Sequence, residues 1–170
     1  YGPSRVLAAT NEVTLVTPQR FVELAHDGTT AEVRFDQRWS DGPTYVMGAF
    51  WDVGSNRWVI VGLRHLAMSR EGLVHTWTAN ETGTLTSLGP GITTSDRIYL
   101  WPTASVARGA RGDFLASCMT NSGSVMVARG SPSAAASLLT TFGLTDGATL
   151  HSTWSDTLRR YTFFYCVDGA

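Results

Sequence analysis

The chain contains no lysine: its thirteen basic residues are all arginine, set against fourteen acidic ones. The net charge of −1 implies neither a nucleic-acid partner nor an anionic membrane. Charged residues make up only 16% and aromatics as much as 11%, which excludes a disordered chain. Cysteine is scarce. Cys118 and Cys166 lack metal-ligand spacing, and they suit either a disulfide or two buried free thiols. No apolar run approaches the ~20 residues of a membrane-spanning helix. No stretch carries the apolar stripe of an amphipathic helix, and the small-residue run 133–139 offers one helical turn at most. Glycine-rich phosphate loops and nucleophile elbows are absent. The glycines fall at hairpin turns, where positive φ explains them. His26, His65, His75 and His151 are scattered and read as solvated loop positions. No signal peptide is visible and the first residue is Tyr1, so the segment reads as a mature or excised product.

What the chain does have is hairpins. Tyr45–Val53 and Arg57–Leu63 are apolar runs flanking Gly54-Ser55-Asn56. Asp113–Thr120 and Ser124–Arg129 flank Asn121-Ser122-Gly123 in the same way. Short apolar runs around such turn residues predict antiparallel strand pairs. A third copy is split between the ends: Tyr161–Val167 is one strand, and Arg5–Thr10 the other. Phe50, Cys118 and Cys166 match in this alignment, as do Val6, Val59 and Val125.

The pattern predicts an all-β chain forming one domain over residues 1–170. It has three circularly offset, four-stranded propeller-like repeats, at 1–28 plus 150–170, 31–89 and 101–149. Half a repeat leaves an open strand edge and an uncovered apolar face. Three repeats are too few to close a propeller, so the split repeat is expected to be completed by another subunit. The assembly residues are Arg5, Val6, Leu7 and Ala8 at one end and Phe163, Phe164, Tyr165 and Cys166 at the other. Two chains would close a ring, and a different rotation per step would give a filament. A third reading is an excerpt of a longer propeller.

Ser69-Arg70-Glu71-Gly72 followed by Thr76-Trp77 resembles the Asp-box of sialidase-like propellers, a turn between the third and fourth strands of a blade. Glu71 stands where that motif has Asp, and the second copy, Ser133–Phe142, has neither acid nor glycine there. The resemblance implies a propeller, with the Asp-box turns structural and remote from any active site. It would also imply an arginine trio, an acid/base Asp and a Tyr/Glu pair. No such trio falls at equivalent points of successive strands, so no catalytic residue is assigned.

Surface recognition remains. Trp39 and Trp154 are each followed by Ser-Asp, which sets an aromatic plate beside Asp41 and Asp156. A ring that stacks on a pyranose, next to a carboxylate that accepts its hydroxyls, suits carbohydrate. The alternative for the same residues is turn-capping. Trp51, Trp58 and Trp77 read as packing residues. The extra segment Asp96, Arg97, Ile98, Tyr99, Leu100, Trp101 is a second ligand or subunit contact. Asn80-Glu81-Thr82 is a glycosylation sequon. The expected function is a non-catalytic extracellular structural subunit that self-assembles by strand complementation. The alternative is a secreted lectin-like oligomer with a carbohydrate partner. No cofactor, metal, nucleic acid or membrane span is expected.

Overall fold

The computed structural model describes residues 5–9, 12–16, 20–26, 29–40, 42–65, 72–89, 91–94, 104–120, 122–143 and 148–167. Among them lie fifteen strands and no helix. Sheet 1 is a meander of β1 (Arg5–Ala9), β2 (Glu12–Val16), β3 (Arg20–His26) and β4 (Ala31–Arg38). Sheet 2 holds β5 (Tyr45–Asp52), β6 (Arg57–His65), β7 (Gly72–Ala79) and β8 (Leu85–Ser87), with β9 (Ile92–Thr94) also on β7. Sheet 3 is β10 (Ala104–Arg108), β11 (Phe114–Met119), β12 (Ser124–Ser131) and β13 (Ala134–Gly143). Sheet 4 is the pair β14 (Ala148–Ser155) and β15 (Arg160–Val167). Every pairing is antiparallel, as tight turns between neighbouring strands demand.

Local chemistry sets the turns. Between β5 and β6 the Asp52 carboxylate accepts the Ser55 N–H at 2.8 Å, and Asn56 takes φ +53. Asparagine tolerates that left-handed geometry and asparagine or aspartate side chains bond their own turns.

The sheets stack face to face through three cores. Phe21 and Trp39 from sheet 1 pack on Val46, Ile60, Trp77 and Ala79 of sheet 2. The other face of sheet 2 gives Met47, Val59, Val61, Leu63 and Val74 to Phe114, Ala116, Cys118 and Met126 of sheet 3. The far face of sheet 3 offers Leu115, Met119, Val125 and Val127 to Tyr161 and Phe163 of sheet 4. Sheet 3 is therefore covered on both sides, and all six residues of β11 are buried. That double burial is why its sequence runs apolar without alternation. Each fully buried large aliphatic or Phe side chain stabilises the fold by roughly 1.5–3 kcal/mol. The first strands line up across the stack: β1 adjoins β5, β5 adjoins β10 and β10 adjoins β14.

The all-β, antiparallel expectation holds, in two four-stranded sheets, one five-stranded sheet and one strand pair. The pairing nevertheless divides the chain differently from the expected repeats. Residues 31–38 pair with β3 and so belong to sheet 1, not to a repeat spanning 31–89. The strands at 5–9 and 12–16 likewise sit in a complete four-stranded sheet, while β15 pairs with β14. The 45–63 hairpin joins strands one and two of sheet 2, whereas the 113–129 hairpin joins strands two and three of sheet 3. The run 133–139 is no helical turn: residues from Ala134 on form β13.

Candidate functional site

Sheet 4 is the least complete layer and is the first candidate for function. Its inward face is fixed. Ser152 and Ser105 hydroxyls meet at 2.9 Å, and the Ser152 N–H donates to the Ser105 Oγ at 3.0 Å. Tyr161 donates its hydroxyl to the Asp113 carbonyl at 3.4 Å. Burial, and then the Asp113 carboxylate, push that phenol up to about 12, so it stays a neutral donor at ordinary pH.

The outward face of sheet 4 is mixed: His151 and Thr153 are exposed there beside Phe164. Phe164 alternates with the inward Tyr161 and Phe163, and it is 56% exposed. Phe142 on β13 lies directly opposite Val125, on the face that sheet 4 covers, yet it is 39% exposed. It emerges because sheet 4 offers two strands where sheets 1 and 3 have four. The edge of β15 away from β14 pairs with no strand among the described residues.

Sheet 1 closes the opposite end of the stack. Phe21 faces sheet 2 and stands in register with Arg5, Val16 and Gln37. Val6, Leu15, Val22 and Asp36 share another register row, and Ala8, Val13, Leu24 and Val33 a third, of which Val33 is exposed.

The aromatic–acid pairs do not form parallel plates. Trp39 follows the fourth strand of sheet 1, is 8% exposed, and donates its indole N–H to the Gly83 carbonyl at 2.8 Å. Trp154 lies on β14, the first strand of sheet 4, and donates to its own Asp156 at 2.8 Å while packing on Tyr161. The turn-capping alternative describes Trp154 and Asp156 well. Asp41, Asp96, Arg97, Tyr99 and Trp101 lie outside the described residues. Of the assembly residues, Arg5, Val6, Leu7 and Ala8 form β1, and Phe163 to Cys166 lie on β15, with only Phe163 and Phe164 described as side chains. Asn80 is exposed in the β7–β8 turn, where its Oδ1 accepts the N–H groups of Thr82 and Thr84. Of the histidines, His75 is no loop residue: it is buried on β7, 2.6 Å from the Ser87 hydroxyl and stacked on Trp77. Among the described residues no cluster of acids, histidines or cysteines could hold a metal ion.

Cys118 is free and buried, and burial pushes its thiol up to about 12. A thiol reagent at pH 8 should leave Cys118 untouched in the folded Cys166→Ser protein and modify it fully once denaturant is added. Fast labelling in the folded state would mean that the sheet 2–sheet 3 core opens readily.

No family model matches the sequence, and no curated protein matches it. The fold is similar to the crystal structure of a protein from Lactobacillus plantarum determined by a structural genomics consortium. The TM-score is 0.51 at 11% identity over 98% of this chain, which shows likeness of fold alone. This chain spans 58% of the length of that structure. These comparisons give the sialidase resemblance no support. The hairpin position also departs from it, because Ser69–Glu71 falls between β6 and β7, the second and third strands of their sheet. No helix among the described residues is long and apolar enough to cross a membrane.

Proposed function

We propose that this chain is a non-catalytic extracellular structural subunit that assembles head to tail. The four sheets form an arc of a propeller, with β1, β5, β10 and β14 innermost. The open edge of β15 pairs with the β1 edge of a second copy, so that β14 and β15 run on into the partner's sheet 1 as one continuous six-stranded sheet. The observation that carries this reading is the two-stranded sheet 4 beside an exposed Phe142. The incoming strands would cover Phe142, and backbone hydrogen bonds would satisfy the β15 edge.

A symmetric pairing of β15 with β15 is disfavoured by geometry. The two-fold axis of an antiparallel pair stands perpendicular to its sheet, so both copies of sheet 3 would claim the same volume. Head-to-tail joining avoids that clash and repeats without limit unless the rotation per step closes it. Light scattering and negative-stain electron microscopy of the purified protein test the reading. Rings or fibres whose mass grows with concentration are expected. A particle that remains one chain at every concentration overturns it.

A further inference from the structure

Sheet 4 is held by its neighbour in a different way from the other layers. Between sheets 2 and 3 the fully buried Val59, Val61, Leu63 and Phe114 close an apolar core, and Arg108 reaches the Asp52 carboxylate at 3.9 Å. Between sheets 3 and 4 the apolar side chains that sheet 4 contributes are Tyr161 and Phe163, both only partly buried. No described residue of sheet 4 joins an ion pair. The junction relies on hydroxyls instead. The Ser105 Oγ accepts the Ser152 N–H and meets the Ser152 hydroxyl. Tyr161 reaches the Asp113 carbonyl only at 3.4 Å, beyond the usual hydrogen-bond range.

Ser117 adds a fault to this junction. It lies between Leu115 and Met119, the β11 residues that face sheet 4, and directly opposite Ser105. It is fully buried, and its hydroxyl has no hydrogen-bond partner among the described residues. A hydroxyl buried without a partner disfavours the state that buries it. Undocking sheet 4 would return the Ser105, Ser117 and Ser152 hydroxyls to water. A lone antiparallel pair is marginal in water, so the hairpin cannot shed sheet 3 piecemeal and persist as a folded ribbon. It opens as one cooperative unit.

We infer that β14 and β15 form a releasable strap: residues 148–167 leave sheet 3 together while sheets 1 to 3 stay folded, and the orphaned Ser117 hydroxyl sets how readily they do so. Release uncovers Leu115, Met119, Val125 and Val127, an apolar face that is otherwise buried. In the assembly proposed above, a partner strand on the β15 edge would hold the strap shut, and this clause alone rests on that reading.

Hydrogen exchange followed by mass spectrometry tests the strap, on the whole chain kept dilute enough to be monomeric by light scattering. Amides of 148–167 should share one level of protection, at least about a hundredfold below that of 114–131. Ser117→Ala removes the orphaned hydroxyl and should slow exchange of 148–167 by at least about threefold. Ser105→Ala removes the acceptor for the Ser152 N–H and should speed the same amides about tenfold. Residues 57–63 should keep their protection in both variants, which establishes that they fold. Equal protection of 148–167 and 114–131, separate levels for β14 and β15, or an effect of either variant that is absent or spread over every sheet would each overturn the strap. Single chains give these rates. Their failure leaves the assembly proposal standing, and a chain that never polymerises leaves the strap standing.

Discussion

Trp77→Ala is expected to lower the thermal midpoint by about 6–20 °C while leaving the β-rich circular dichroism spectrum intact at low temperature. Trp77 is the largest of the fully buried side chains. It stacks on His75 and belongs to the core that joins sheet 1 to sheet 2. Truncating a buried Trp or Phe to Ala costs roughly 3–5 kcal/mol through lost transfer energy and the cavity left behind. In a chain of this size each kcal/mol shifts the midpoint by about 2–4 °C. Trp51→Ala is the control. Trp51 is only partly buried and touches Trp58 edge-on, so its loss should cost far less. Equal effects from the two would mean that the sheet 1–sheet 2 junction is not organised around Trp77.

The fold class was legible because hairpin turns and short apolar runs act locally. Asn56 and Gly123 both take positive φ in turns that the sequence marks. The grouping of strands into sheets was not legible, for a physical reason. In a meander every hairpin has the same signature, whether it joins strands one and two or two and three. The hairpins 45–63 and 113–129 look alike in sequence yet sit one strand apart within their sheets. The same likeness sets Trp39, which follows a fourth strand, level with Trp154 on a first strand. Burial on both faces deepened the problem. Phe114, Ala116 and Cys118 face sheet 2 while Leu115 and Met119 face sheet 4, and this removes the alternation that would have told the sequence reader which face was which. Trp39, followed by Ser-Asp like Trp154, has its indole N–H taken by a carbonyl forty-four residues away, a partner that no local pattern marks.

Phe142→Asp is expected to weaken assembly by at least about a hundredfold in the concentration at which polymers appear, with the monomer folded normally. Phe142 is already 39% exposed, so an acid there costs the isolated chain little. At the junction it would have to be buried unpaired beneath the partner's first strands. A hundredfold corresponds to about 2.8 kcal/mol, within what a buried unpaired charge costs. A chain lacking residues 1–9 loses β1, an edge strand of sheet 1, and should fail to assemble for the complementary reason. The decisive result is the mixture. Head-to-tail joining needs one sound β15 side and one sound β1 side. The deletion chain keeps the first and the Phe142→Asp chain keeps the second. Mixed together they should form one-to-one pairs and stop there, whereas two copies of either alone should not pair. Phe164→Asp separates edge pairing from simple stacking of sheet 1 on the outward face of sheet 4. Phe164 lies on that outward face, so stacking would make it the critical residue and leave Phe142 immaterial. Assembly that survives Phe142→Asp but fails with Phe164→Asp would mean that whole sheets stack and that the β15 edge is not the junction.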